Sequence, residues 1–395
     1  MSYRFRTAGS AAAVAVVLVA ASSPVRAAGG SIWPQPGHDS GHSFYNADES
    51  VLNAGTVGSL KARWQVVPAP TRCPGLPSQV GPVVAGGLTL MQDTSGLTAR
   101  DSRTGEQVWK TNVGIEDRWA YNLVVAGSNV VVTASGTSCG IEGGESDGTI
   151  MAYNLATGAR RWSASDDTEA QQVVVVDGTL VVSGSSSGVE PIVTGYRLSD
   201  GRRLWSDGTN SDGARTLAAL VPVGHEVIVN HFGRETLRLN AVTGAPTGSW
   251  PASWHPLASV AGDRVVVGDS DDWTLKAVHV SDQRVLWSVD RVSNRVASDG
   301  RRLYVGIGSS IEAYDAATGR LAWSVALGGR AGQPVRAGGL VYVPVAGKPV
   351  AVRDAATGRK VAASSALSSV RSVLAVAGGR LYATTAPNHV TVFAP

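Results

Sequence analysis

Ala313 to Trp323, AYDAATGRLAW, reads as the end of one β-strand, a tight turn at Thr318-Gly319 and the start of a second strand carrying a large indole. Its pattern, A-x-D-x-x-T-G-x-x-x-W, is met at every fixed position by ARDSRTGEQVW from Ala99 to Trp109. AYNLATGARRW, from Ala152 to Trp162, differs only in Asn154 for Asp. Weaker copies run from Gly195 to Trp205, Arg238 to Trp250, Ala277 to Trp287 and Val352 to Ala362. Glycine supplies the left-handed backbone of the turn, and Thr or Asp before it bonds locally to the turn backbone. One unit recurring through a chain marks an array.

Between copies the sequence punctuates itself a second time. Short β-branched runs break at Gly86, Gly127, Gly178, Gly224, Gly262, Gly300, Gly338 and Gly378. Each period therefore holds four strands in hairpin succession and repeats at about 40 residues, which is the signature of a β-propeller blade. From Val373 to the end only three strands remain, and the run Lys61 to Val67 is a strand without neighbours. Pairing the two closes the ring. The predicted fold is all-β: a single eight-bladed propeller of four-stranded antiparallel blades over residues 60–395, closed by the N-terminal strand in the last blade. Trp64, Trp109, Trp162, Trp205, Trp250, Trp287 and Trp323 stand on outer strands, where each can wedge against the neighbouring blade. Burial of one indole is worth roughly 3 to 5 kcal/mol. Ala362 occupies one such position and Trp250 comes two residues late, so those two interfaces are expected to be looser or differently filled.

The first 27 residues, with Arg4 and Arg6, the apolar run Ala11 to Ala21 and Val25-Arg26-Ala27, predict a secretory signal and an extracytoplasmic, secreted protein. The apolar run is too short to span a bilayer. The whole chain carries 34 Lys and Arg against 31 Asp and Glu, and setting aside Arg4, Arg6 and Arg26 leaves the remainder balanced. A nucleic-acid partner, which needs a clustered positive excess, is not expected. Cys73 and Cys139 are the two cysteines, and in an exported chain the default is one disulfide between them. Closing a loop of that length is worth roughly 4 kcal/mol. Residues 28–59 form an irregular, polar, Gly-rich entry segment.

These repeats resemble the pyrroloquinoline-quinone-type propeller family with its tryptophan-docking motifs. The likeness extends into the entry segment at Trp33, Gly37, Asp39, Tyr45, Asn46, Leu52, Val57, Leu60 and Trp64. The family includes quinoprotein alcohol dehydrogenases and the propeller subunit of the outer-membrane barrel-assembly machinery. The resemblance to the dehydrogenases implies pyrroloquinoline quinone and calcium over the channel, between a Trp and a disulfide of adjacent cysteines. Cys73 and Cys139 depart from that, being far apart, and no calcium-ligand motif matches by position. Glu142, Glu145 and Asp147 have a spacing that can bind calcium but lack the EF-hand order. His38 and His42 flank Asp39 at a plausible metal spacing, within a segment the family uses structurally. No metal site is assigned.

Seven positions before the first-turn glycines stand Gln79, Gln171, His255 and Arg371, with Tyr121, Arg215, Arg295 and Gln333 close by in other blades. Together they can form a donor-rich funnel for a small polar or anionic ligand, although a water-filled mouth is polar for that reason alone. Trp119, Trp254 and Trp273 fall outside the docking register and are expected in loops on the same face. No nucleophile with its base can be identified. The expectation is a monomeric, non-catalytic binding or scaffold propeller whose partner is a protein or a small ligand, with a quinoprotein-like oxidoreductase as the alternative.

Overall fold

The computed structural model describes residues 31–69, 79–114, 119–135, 148–166, 170–184, 191–209, 219–230, 236–260, 262–291, 293–385 and 389–395. Its strands form eight four-stranded sheets, each a blade. Blades 1 to 6 are antiparallel meanders read outward in chain order, beginning with inner strands Gln79–Ala85, Trp119–Ala126, Gln172–Val176, Ala219–Val223, Trp254–Val260 and Val296–Ser298. Blade 8 consists of Ser372–Ala377, Arg380–Thr384 and Val390–Ala394, and Lys61–Val66 completes it by antiparallel pairing with the last of these. The expected closure of the ring is therefore observed.

Blade 7 reaches four strands differently. Its three meander strands are Val335–Ala337, Leu340–Val345 and Lys348–Asp354, and the fourth is Tyr45–Asn46, which pairs in parallel on the channel side of Val335–Ala337. On the outer side only the bridge between Arg353 and Lys360 is formed. The chain then turns away into a short 3-10 helix, Ser365–Ser369, so the weak motif copy ending at Ala362 never becomes an outer strand.

The repeated motif is an interblade joint. Trp109, Trp162, Trp205, Trp287 and Trp323 lie directly across the ladder from Ala99, Ala152, Gly195, Ala277 and Ala313. The residue opposite is small because the indole lies against it: a Cβ on Gly195 would come within 2.2 Å of the Trp205 ring. Each indole then reaches the next blade, where its Nε1 donates to a turn carbonyl. Trp64, Trp109, Trp162, Trp205, Trp287 and Trp323 bond Ser102, Leu155, Leu198, Ala241, Ala316 and Ala355, at 3.0 to 3.2 Å. Hydrophobic clusters accordingly sit between blades, as in the layer holding Val83, Leu97 and Trp109 of blade 1 with Leu123, Val132 and Tyr153 of blade 2.

Trp250 is no docking residue of this kind. Gly248 takes the ladder position opposite Arg238, and the displaced Trp250 is buried edge-on to Trp254, with ring centroids 5.8 Å apart. Where the other docked turns offer glycine, the next blade has Gln283 at φ 59°. The interface is differently filled rather than loose. At the other exception, between blades 7 and 8, Leu367 of the 3-10 helix joins a buried cluster with Leu52, Val57, Leu60, Val373 and Tyr382.

Candidate functional site

The inner strands frame a central channel, and residues 31–49 wind once around its mouth at the first-turn end. Trp33 exchanges two backbone hydrogen bonds with Val84 of blade 1, and Pro34 accepts from Val125 of blade 2. The Ser40 hydroxyl meets the backbone of Val175 in blade 3, and the His42 side chain bonds the Leu220 backbone in blade 4. Gly41, Ser43 and Phe44 accept from Ser259, Ser298 and Arg336 in blades 5 to 7, at 2.8 to 2.9 Å. Asn46 donates to the Val376 carbonyl of blade 8 at 2.8 Å. Gly41 lies close to blade 5: a Cβ there would stand 1.9 Å from Ser259 Oγ and force that hydroxyl to turn away.

Asp39 holds this segment in shape. It accepts the Ser43 amide at 3.1 Å and also bonds the Ser43 hydroxyl and His38. Burial pushes the Asp39 carboxyl up, but these bonds outweigh it and hold the group below the ordinary carboxylate value. Burial lowers His42, against the opposing pull of Asp39 and the Leu220 backbone. The His38, Asp39 and His42 spacing thus belongs to a structural turn, and no group of three or more metal-ligating side chains occurs among the described residues.

The opposite mouth, where the inner strands begin, carries the residues expected to line a funnel. Cys73, Cys139 and Arg215 lie outside the described residues, as do the side chains of Gln79, Trp119 and Tyr121, whose backbones fall in the inner strands of blades 1 and 2. Gln171 presents its carbonyl to Asn122 Nδ2 at 2.7 Å, joining blades 2 and 3. His255 Nδ1 meets Asn230 Oδ1 at 2.9 Å across blades 4 and 5, and Asn230 also bonds the Trp254 carbonyl. Gln333 Nε2 donates to Val296 at 2.9 Å, joining blades 7 and 6. Arg295 is half-buried with its carbonyl accepting from Gly306, and Arg371 is exposed. The side chains of His255 and Gln333, and the backbone carbonyl of Gln171, therefore brace neighbouring blades. Asn122, Asn230 and Gln172, whose Oε1 accepts the Leu220 amide at 2.9 Å, take part in the same bracing. Only their place near inner-strand starts could have pointed to them.

Two of the three off-register tryptophans are corrected. Trp119 and Trp254 open inner strands rather than lying in loops, and Trp254 is buried with its Nε1 donating to Asp269 at 2.9 Å. Trp273 is in a turn as expected, between the second and third strands of blade 5, on the face where the inner strands begin. It is 70% exposed and its backbone is left-handed at φ 58°. The turn beneath it is stiff: Lys276 bridges Asp269 at 2.6 Å and Asp272 at 2.8 Å, and lies 6.0 Å from the centre of the Trp254 ring. Burial pushes Asp269 up and Lys276 down, but their mutual bond wins, so the carboxyl sits below and the amine above its ordinary value. An apolar ring held outward on a rigid support is suited to contact with another surface.

The quinone and calcium implied by the resemblance need carboxylate ligands and free donors at this mouth. Among the described residues there, Asn122, Asn230, His255 and Gln333 are already bonded between blades, Asp269 is held by Trp254 and Lys276, and no group of three or more metal-ligating side chains is formed.

A family model described as outer membrane protein assembly factor BamB matches residues 18–289 and 307–395. The chain matches no curated protein. Among solved structures it is similar to BamB from Moraxella catarrhalis, with 16% identity and a TM-score of 0.59 over 85% of this chain and 98% of that one. Quinohemoprotein alcohol dehydrogenase from Comamonas testosteroni gives 13% identity and a TM-score of 0.64 over 92% and 80%. A europium-containing methanol dehydrogenase gives 13% and 0.58 over 84% of each chain. At such identities these structures share the fold alone.

Proposed function

Because the chain belongs to the family described as outer membrane protein assembly factor BamB, we propose that it is an extracytoplasmic protein-binding propeller. Its docking face is the side of blade 5 where the inner strands begin. The exposed Trp273 on its braced turn carries this reading, since aromatic side chains presented on a stiff support dominate protein interfaces. The mouth at the other end supports it too, because the chain's own residues 31–49 occupy that position. Export by the first 27 residues, and action as a monomer, belong to the same proposal; no helix among the described residues is long and apolar enough to cross a membrane.

A photo-crosslinking amino acid placed at position 273 in the producing cells tests the docking face, with position 48, exposed beside the mouth that residues 31–49 encircle, as control. A discrete protein adduct from 273 and none from 48 is expected. Equal labelling at both positions, or none at 273, would remove the docking face. Titration of the purified protein with pyrroloquinoline quinone and calcium addresses the oxidoreductase alternative separately. Stoichiometric uptake accompanied by dye-linked alcohol oxidation would establish that alternative in place of the binding role.

A further inference from the structure

Every blade except the seventh ends in an outer strand of five to seven residues, such as Gln107–Thr111 in blade 1, Arg160–Asp166 in blade 2 and Lys61–Val66 in blade 8. In blade 7 the Val361 amide donates to Val352 at 3.0 Å and the Asp354 amide to Arg359 at 2.9 Å, and the pairing stops there. Ser364 has already crossed to the entry segment, bonding Val57 and Leu60. Alternate residues of a strand face the same ladder, so Val350, two before Val352, is the one position of this edge left beyond the Val352 bond; it is 5% exposed and Pro349 precedes it. Among the described residues no strand covers that edge. Beside it runs a groove of about 450 Å³, walled by Val350, Val361 and Leu367, in which Lys348, Arg353 and Lys360 are the charged lining groups among the described residues.

Here we propose that this edge receives an extended, acidic segment of another protein, which pairs with Val350 and supplies the outer strand that blade 7 lacks. Main-chain bonds to an open sheet edge give such a segment its affinity, and side-chain pockets give its specificity. Charge complementarity selects the occupant. Three cations face the groove with no carboxylate in its lining, and Arg353 Nε is buried without a hydrogen-bond partner. The chain's own first 30 residues contain Arg4, Arg6 and Arg26 and no Asp or Glu, so they do not match. A second copy, edge to edge, would set the same cations against themselves.

The test uses the full chain and a fluorescent peptide alternating Glu and Val over six residues. Two further peptides accompany it, one with Lys for Glu and one N-methylated at alternate amides. The acidic peptide is expected to bind and to slow amide exchange at Val350, while both control peptides fail. Lys348→Glu with Lys360→Glu, on exposed side chains that leave the fold intact, should weaken binding about fivefold. Absence of binding, equal binding of the Lys peptide, or indifference to N-methylation would overturn the proposal. So would a dimer of the protein alone that protects Val350. None of these outcomes touches Trp273, which lies on a different blade.

Discussion

Gly319 meets two demands at once. It sits at φ 69°, and a Cβ there would stand 2.7 Å from Cγ of Trp287, the indole docked from the preceding blade. Left-handed backbone alone costs a residue with a side chain about 1 to 2 kcal/mol, and crowding a packed ring costs about 1 to 3 more. Gly319→Ala should therefore destabilise by about 2 to 5 kcal/mol in urea unfolding. With Trp287→Ala already present it should cost less, because the ring it strikes is gone. Gln283 offers the reverse case. It holds φ 59° with no indole above it, since Gly248 and Trp250 have rearranged that joint, so Gln283→Gly should gain about 1 kcal/mol despite losing the bond from Gln283 Nε2 to Ser249. A loss there as large as that of Gly319→Ala would break the link between indole and glycine. The sequence shows the tryptophans and the turn glycines, but it displays them as parts of one motif copy. Their contact joins consecutive copies, so local spacing describes the parts and cannot show the joint.

At the scale of elements, legibility followed hydrogen-bonding type. Strands bounded by glycine turns announce themselves through β-branched runs, and the hairpins came out as read. Residues 31–49 and 359–369 do not, because their bonds go from irregular backbone to distant strands and leave no periodicity. At the mouth, His255 and Gln333, read as part of a polar funnel, also bond across blades to Asn230 and Val296, and nothing in their spacing shows those bonds. The entry segment carries its own pH response. His42 is held below its ordinary value by burial, so the undocked segment takes up a proton more readily than the docked one. Docking stability should be level above pH 6.5, the ordinary histidine value, and fall as pH drops through the window between 6.5 and the depressed value. Exchange of the Ser298 and Arg336 amides, which donate to Ser43 and Phe44, reads this directly once corrected for intrinsic rates. Between about pH 7.5 and 5.5 their protection should decline, and His42→Gln should flatten the decline. A decline that persists unchanged in the variant would show that another group is responsible.

For the whole molecule, the ring makes every blade depend on a contact between the two ends of the described chain. Val390–Ala394 lies between Lys61–Val66 and Arg380–Thr384, and Val392 faces both Trp64 and Tyr382 across its two ladders. Trp64 in turn docks onto the Gly105 turn and bonds Ser102 of blade 1, so the closing strand also fixes the joint between blades 8 and 1. An array without closure would fray from its ends, its middle protected by neighbours alone. A closed ring has no end to fray, and opening one joint should weaken the far side as well. Val392→Pro removes a ladder hydrogen bond from the middle strand of this closure, where proline is not tolerated. Buried Ile228 sits in blade 4, half the ring away from blade 8. Native-state amide exchange at Ile228 and at Val376 should accelerate by similar factors if the ring unfolds as one unit. Acceleration at Val376 with Ile228 unchanged would mean that the termini only cover an edge, and that the propeller is held together by its pairwise tryptophan joints.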